Sequence, residues 1–158
     1  MRSNRGASPL RAQIIQFDLK QIGLNVNVQL FPRAVQIEKE GTRGEPFDLT
    51  DESWSADYAD PYDFVNVLLD GNNIQAQNNN NVSYFNDPKF NAEMTRASLL
   101  TGSARYTAYG NLDVSIMQQG IPWAPRFNTN NRMLVSKRFG CFTYSPIYTV
   151  DLAAACLK

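Results

Sequence analysis

The stretch WSADYADPYDF, from Trp54 to Phe64, gathers acidic and aromatic side chains near the middle of the chain. Within it, Asp57, Asp60 and Asp63 recur at every third position. A carboxylate can bind a cation or a polar organic molecule, and an indole can offer an apolar wall or a ring face to a cation. Acids and a proline in this order also suit the start of a helix. The spacing alone leaves both interpretations open.

Enzymatic chemistry is disfavoured because the chain contains no histidine. This excludes Ser-His and Cys-His nucleophilic pairs, HExxH zinc sites and an imidazole base near neutral pH. The nucleotide-binding patterns GxGxxG and GxxxxGK[ST] are also absent. Asp57 and Asp60 could be the acid and base of a glycosidase, but acids three residues apart are common and Asp60 suits a helix cap. We therefore expect no enzymatic activity, no cofactor and no catalytic residue.

The charge balance bears on the partners of the protein. Fifteen basic and fifteen acidic residues give zero formal net charge, and the basic residues are scattered. We therefore expect no binding to nucleic acid or to anionic lipid. No apolar run approaches the roughly 18 residues that a membrane span needs, and the first residues, MRSNRGASPLR, lack the apolar segment of a signal peptide. A length of 158 residues with 43% hydrophobic residues predicts one globular core.

The first half of the chain alternates helix and strand patterns. Ser8 and Pro9 predict the start of an amphipathic helix that ends at Gly23. Apolar and polar residues then alternate over 24–30, as in a strand with one face in the core. A short polar helix over 34–40 follows, and the segment FDLTDESW predicts a second strand that ends at Trp54.

The second half is mainly helical. Asp60–Pro61 and Asp87–Pro88 each predict an N-cap followed by the first helical residue, and a further helix is predicted from Ser103 to Gly120. The Asn-rich segment over 70–81 has no apolar period and is predicted to be a mobile surface loop. The segments IPWAPRF and RMLVSKRF predict two late strands, the first confined by its prolines to a sheet edge or a bulge. The sum is an α/β domain.

Two cysteines lie near the end of the chain, Cys141 and Cys156. A disulfide between them would close a loop of about 15 residues and stabilise the fold by about 3 kcal/mol through loop-closure entropy. The alternative is a pair of reduced, buried thiols. The even count favours the disulfide, but the sequence leaves both states open.

Four stretches, in their order along the chain, carry a family resemblance: ASPLRAQIIQFDLKQIGLNVNVQL, FDLTDESWSADYADPYDFVNVLL, VSYFNDPKFNAEM and ARYTAYGNLDVSIMQQGIPW. They resemble the second lobe of an extracellular solute-binding protein of family 5, the group of oligopeptide-, dipeptide- and nickel-binding receptors of ABC importers. The resemblance runs through nearly all of the chain, although family members are considerably longer. It implies a periplasmic-binding-protein-like lobe with helices packed on a mixed sheet, incomplete relative to the two-lobed fold. Residues 1–135 then correspond to the second-lobe ligand-binding domain, and 136–158 to a C-terminal segment that in the family returns to the first lobe.

The resemblance also assigns a role to the opening stretch. In peptide-binding members, the aspartate three residues after the tryptophan receives the terminal ammonium of the peptide, and Asp57 holds that position here. Trp54 would supply an apolar wall or a cation-facing ring, with Ser55 and Tyr58 as weaker candidates. The alternatives are a solvated turn aspartate, a core tryptophan, a turn serine and a packing tyrosine. We predict no metal site, since direct nickel capture by histidine is excluded, though a chelated metal is not.

The resemblance implies a solute receptor of an ABC importer that binds peptides outside the cytoplasm, in the periplasm or as a cell-surface lipoprotein, and delivers them to a membrane permease. One alternative is an oligosaccharide receptor of the same family, because amide and tyrosine side chains also suit sugar hydroxyls. Another is an interaction module that forms a homo-oligomer through an exposed cleft face.

Overall fold

The computed structural model describes residues 8–130, 132–145 and 147–158. The helices are α1 (Ser8–Gln21), α2 (Arg33–Glu40), α3 (Tyr62–Leu69), α4 (Pro88–Ser98) and α5 (Gly102–Ser115). A 3-10 turn at Gly71–Asn73 follows α3, and α5 continues into a π turn at Ile116–Gly120. The strands are β1 (Phe139–Gly140), β2 (Tyr144–Ser145), β3 (Thr149–Val150) and β4 (Cys156–Leu157). None of the helices in the described ranges is long and apolar enough to cross a membrane.

The hydrophobic core lies between α3, α4 and α5. Helices α3 and α4 each contribute three residues, and α5 contributes two together with Ile116 at the start of the π turn. Apart from one adjacent pair on α3, the residues within each group are spaced three or four positions apart, so that one face of each helix is apolar. The nine residues are Val65, Leu68, Leu69, Phe90, Met94, Ala97, Tyr109, Leu112 and Ile116. Phe64 and Tyr106 are apolar residues of the same helices, but their side chains are exposed.

The helix starts form where the sequence predicts them, because their capping interactions are local. One carboxylate oxygen of Asp87 accepts hydrogen bonds from the backbone N–H of Lys89 at 2.8 Å and of Phe90 at 3.4 Å. A carboxylate oxygen of Asp60 accepts one from the N–H of Tyr62 at 2.8 Å. Each aspartate thus satisfies donors of the first helical turn that have no partner within the helix.

The strand predictions for 24–30, 47–54 and 121–127 are wrong, since the structure assigns no strand to these segments. In the predicted late strand over 132–139, only the last residue joins β1. Alternation of apolar and polar residues shows that one face can be buried, but a strand also needs a neighbour to complete its hydrogen-bonded ladder. In the described ranges, the ladders join β1 to β4 and β2 to β3, both antiparallel. Two small sheets therefore stand in place of the single mixed sheet that we expected.

The C-terminal segment is closed by a disulfide between Cys141 and Cys156, whose Cα atoms lie 5.3 Å apart. The bond adjoins the ladder of β1 and β4, in which Gly140 is opposite Cys156. A side chain at Gly140 would approach the Sγ atom of Cys156 to 3.0 Å. The structure therefore contains the disulfide rather than the pair of free thiols, and a glycine lets the two strands come together beside it.

The Asn-rich segment is ordered, which corrects the prediction of a loop without structure. Asn79 is buried; its amide nitrogen donates to the carbonyl oxygens of Gly41 at 2.8 Å and Gln75 at 2.9 Å, and its amide oxygen accepts from the N–H of Gln75 at 2.7 Å. Asn81 makes a similar pair of bonds with the backbone of Phe85. An asparagine amide offers a donor and an acceptor together, so it can replace the backbone partners that a ladder would supply.

The region before α3 is held mainly by polar contacts. In α1, only Ser8 and Ala12 are buried, whereas the apolar side chains of Leu10, Ile14 and Phe17 are exposed. The guanidinium group of Arg11 donates to the carboxylate of Asp51 at 3.1 Å. The predicted helix α1 is therefore present, but its apolar face is not packed against the core as its amphipathic pattern predicts.

Candidate functional site

The loop from Trp54 to Pro61 leads into α3, and it is held by Asp63 in the first turn of that helix. The side chain of Asp63 is only 1% exposed. Its Oδ2 atom accepts a hydrogen bond from the backbone N–H of Asp57 at 2.8 Å and another from the indole N–H of Trp54 at 3.3 Å. One carboxylate oxygen thus brings the two principal candidate residues to the start of α3.

Asp60 fixes the other end of the loop. In addition to capping α3, its carboxylate forms a two-pronged ion pair with Arg105 of α5, with N–O distances of 2.7 and 2.9 Å. The hydrogen bond from Arg105 lowers the pKa of Asp60 below its usual value, so the carboxylate stays charged. These two contacts give the Asp60 carboxylate a structural role, joining the start of α3 to α5.

Arg105 connects the loop to the three-helix core. Its Nη1 atom donates to the carbonyl oxygens of Ala97 at 3.2 Å and Ser98 at 2.7 Å at the end of α4. Its guanidinium carbon lies 4.9 Å from the ring centre of Tyr109. The positive charge thus interacts with the negative end of the α4 dipole as well as with Asp60. The loop is therefore held directly by α3 and α5, and α4 contributes through its contacts with Arg105.

The structure places the four predicted site residues on one loop but in different environments. Trp54 is half-buried and packs against the core cluster, so the core interpretation accounts for part of its side chain. The side chains of Asp57, Ser55 and Tyr58 are exposed. Partial desolvation, followed by the charge of Asp63, raises the pKa of the Tyr58 hydroxyl. The loop therefore presents an acid, a hydroxyl and a phenol to solvent beside a partly covered indole.

Sequence reasoning missed two residues of this arrangement. Asp63 was interpreted only as a negative charge in the first helical turn, although it also holds the loop. Arg105 was not singled out at all. An acid that follows a tryptophan-containing loop is a weak signal that its side chain holds the loop, as Asp63 does. The position of Arg105 depends on how α5 packs, so no local sequence pattern indicates it.

The site is an open surface and not an enclosed cavity. Two open grooves in the described residues lie elsewhere: one of about 530 Å³ between α4 and α5, near Arg96 and Leu112, and one of about 500 Å³ beside α1, near Gln16 and Val26. Among the residues that the structure covers, no group of three or more acidic, cysteine or histidine side chains could hold a metal ion. The loop suits a polar ligand that a second surface would cover.

Three solved structures share the fold of this chain. HbpA2 from Haemophilus parasuis matches with a TM-score of 0.73 and 24% identity over 96% of this chain and 29% of its own. The ABC transporter-associated periplasmic binding protein DppA from Helicobacter pylori, solved in complex with the peptide STSA, matches with a TM-score of 0.64 and 22% identity over 77% of this chain and 23% of its own. Clavulanic acid biosynthesis oligopeptide binding protein 2 gives a TM-score of 0.65 and 24% identity, covering 75% and 23% of the two chains. The fold is therefore that of part of a periplasmic binding protein.

Curated relatives point to the same group of proteins. Di/tripeptide-binding protein 2 of Pseudomonas aeruginosa is 27% identical over 124 residues, which are 78% of this chain and 23% of the relative. Heme-binding protein A of Haemophilus influenzae is 30% identical over 138 residues, 85% of this chain and 24% of the relative. The chain thus spans about a quarter of the length of these relatives. No protein-family model matches the chain. The chain resembles part of a family 5 solute-binding protein, as the residue order predicted.

Proposed function

We propose that this chain forms part of the solute receptor of an ABC importer and that the receptor binds peptides by their terminal ammonium group. The observation that carries the proposal is the loop held by Asp63, which presents the Asp57 carboxylate next to the Trp54 indole. Relatives and structural neighbours named for di/tripeptide and oligopeptide binding support the peptide class. The proposal contains no catalytic step.

The exposed carboxylate of Asp57 would accept a short charge-assisted hydrogen bond from the ammonium group. Trp54 would form an apolar wall beside it, and the Ser55 and Tyr58 hydroxyl groups would accept or donate further hydrogen bonds. The main chain of an extended peptide can be held by backbone hydrogen bonds, which tolerate many side chains. Because this surface is open, the isolated chain would hold a peptide weakly until a second surface excludes water.

We propose that residues 1–135 form the ligand-binding unit and that residues 136–158 form a separate C-terminal segment. The strands of the described residues support this division, because β1 to β4 all lie in 139–157 and their ladders join β1 to β4 and β2 to β3. The first seven residues of the ligand-binding unit lie outside the described residues.

The proposed location is outside the cytoplasm, with a membrane permease as the protein partner. The disulfide between Cys141 and Cys156 supports this location, since disulfides persist in oxidising compartments and are rare in the cytosol. The name of the Helicobacter pylori neighbour, an ABC-transporter-associated periplasmic protein, supports the partner.

The peptide proposal is tested by titrating the ¹⁵N-labelled chain with a tripeptide, its N-acetylated form, a maltooligosaccharide and heme, and recording NMR spectra. We expect only the free-amine tripeptide to shift the backbone amides around Asp57, with an affinity near millimolar. Asp57→Asn should weaken the binding that causes these shifts by roughly tenfold or more, whereas the control Asp48→Asn, at another exposed aspartate, should leave it unchanged. Equal shifts with the acetylated peptide would remove the ammonium role. If only the maltooligosaccharide or only heme shifts the amide resonances, the ligand class is that compound and not a peptide.

A second candidate function, self-association, is favoured by the exposed apolar side chains of α1. Phe17 is 64% exposed, and Leu10 and Ile14 are also exposed. An exposed apolar patch of this kind marks interaction surfaces. Light scattering across a concentration series tests this function: a dimer that Phe17→Ser converts to a monomer would support it, and a monomer at all concentrations would exclude it.

A further inference from the structure

Asp63 is a buried acid whose two carboxylate oxygens differ in their partners. Its Oδ1 atom is buried and has no hydrogen-bond partner among the described residues. Arg105 forms its ion pair with Asp60 instead. A buried carboxylate oxygen without a partner costs free energy. The hydrogen bonds of Asp63 to the loop are made by the other oxygen, Oδ2.

We propose that Asp63 is the positioning residue of the candidate site, which sets the place of both Trp54 and Asp57 for ligand binding. This inference rests on the proposed function for its ligand step but not for its structural step. The role is carried by the Oδ2 atom alone, because that atom accepts both the backbone N–H of Asp57 and the indole N–H of Trp54.

The two bonds act on different degrees of freedom. The bond to the N–H of Asp57 fixes the backbone at the residue whose carboxylate faces solvent, so it sets the position from which that side chain extends. The bond to the indole fixes the plane of the Trp54 ring. Because one oxygen accepts both donors, the distance between acid and ring is set by Asp63 and not by either residue itself. A ligand that contacts both side chains is recognised through this spacing.

The structural step is tested by NMR on the chain without ligand. In Asp63→Ala, we expect the Trp54 indole N–H resonance to shift and hydrogen exchange at the Asp57 amide to accelerate by about tenfold or more, as for the loss of one hydrogen bond to a charged group. Asp63→Asn keeps an acceptor oxygen and should restore much of the protection. Trp54→Phe assigns the indole signal and should leave the Asp57 amide protected, since that amide has its own bond.

Asp70→Ala is the matched control for stability. Asp70 is also buried and lies at the other end of α3, where its carboxylate accepts from the N–H of Asn72 at 2.9 Å. We expect this variant to lower the stability of the fold without changing the Asp57 amide or the Trp54 indole. If it changes them as much as Asp63→Ala does, or if Asp63→Ala leaves them unchanged, the positioning role is wrong.

The ligand step is tested with the free-amine tripeptide. Asp63→Ala should weaken binding by about as much as Asp57→Asn, roughly tenfold or more, and the double variant should lose no more than either single variant. Additive losses would show that Asp63 acts independently of Asp57. Should Asp63→Ala fail to fold, Asp63→Asn takes its place in both steps, with a smaller effect. If no variant binds peptide but the NMR result holds, the peptide function fails while the positioning role stands.

Discussion

The regions before and after the start of α3 are stabilised in different ways. The α3–α5 region buries apolar side chains from three helices, with Met94 and Ile116 fully covered. The α1–α2 region exposes Leu10, Ile14 and Phe17 and is held by ion pairs and amide hydrogen bonds. Apolar burial stabilises in proportion to area, whereas an ion pair that is partly buried must first offset the cost of removing its charges from water. We infer that most of the folding free energy resides in the second region, and that the candidate site lies at its edge.

A truncation in each region gives the largest expected contrast. Met94→Ala removes a side chain with no exposed surface and should lower the free energy of unfolding by about 2–5 kcal/mol. Phe17→Ala removes a mostly exposed side chain and should change it by less than about 0.5 kcal/mol. Urea unfolding followed by circular dichroism measures both. Equal losses would show that α1 contributes to the same core and would break the comparison.

Alkaline pH should weaken the second region through Tyr109. Its hydroxyl donates to the amide oxygen of Asn66 at 2.7 Å, and burial raises its pKa to about 12 from 10.0. The folded state therefore holds the proton more tightly than the unfolded state. The resulting stability is fully present below pH 10 and is lost as the pH rises towards 12, by about 2–3 kcal/mol in total.

Tyr109→Phe is the variant that tests this pH dependence. It should flatten the dependence between pH 10 and 12 and should also cost about 1–3 kcal/mol at neutral pH, because the Asn66 oxygen loses its donor. Thermal unfolding at stepped pH values supplies the measurement. An unchanged slope above pH 10 in the variant would assign the alkaline effect to another group.

A smaller and local effect is expected where α1 is tied to the rest of the chain. The Asp51 carboxylate pairs with both Arg11 and Arg126 and is largely buried. Asp51→Asn should lower the local stability of α1 by about 1–2 kcal/mol, since hydrogen bonds to a charged acceptor are weakened. Hydrogen exchange should accelerate at the backbone amides of α1 and stay unchanged at the backbone amide of Met94 in α4. Acceleration in both regions would show that they unfold together.

The sequence predicted the elements that depend on local interactions. The starts of α3 and α4 follow from Asp60–Pro61 and Asp87–Pro88, because capping bonds join residues two or three positions apart. The buried faces of α4 and of most of α5 are also predictable, because their apolar residues are spaced three or four positions apart. The strand over 24–30 was predicted from the same kind of pattern and is absent, since a ladder depends on a neighbour that alternation does not specify.

The candidate site was predictable only in part. Trp54 and Asp57 were nominated by a family resemblance, and the structure brings them together at Asp63. The role of Asp63 depends on a loop that turns back over the helix start, which local propensity does not reveal. The same holds for Asn79, whose amide bonds the carbonyl of Gly41, a residue 38 positions earlier. Such long-range contacts of polar side chains are the main part of this structure that residue patterns left out.

The bridge between Cys141 and Cys156 has a practical consequence for protease digestion. Tyr148 and Leu152 lie inside the bridged span with exposed side chains, and both suit chymotrypsin. A single cut beside either residue would leave the two fragments covalently linked. The nicked protein would migrate as one band on a gel run without thiol, and it would release its short terminal peptide only after dithiothreitol is added.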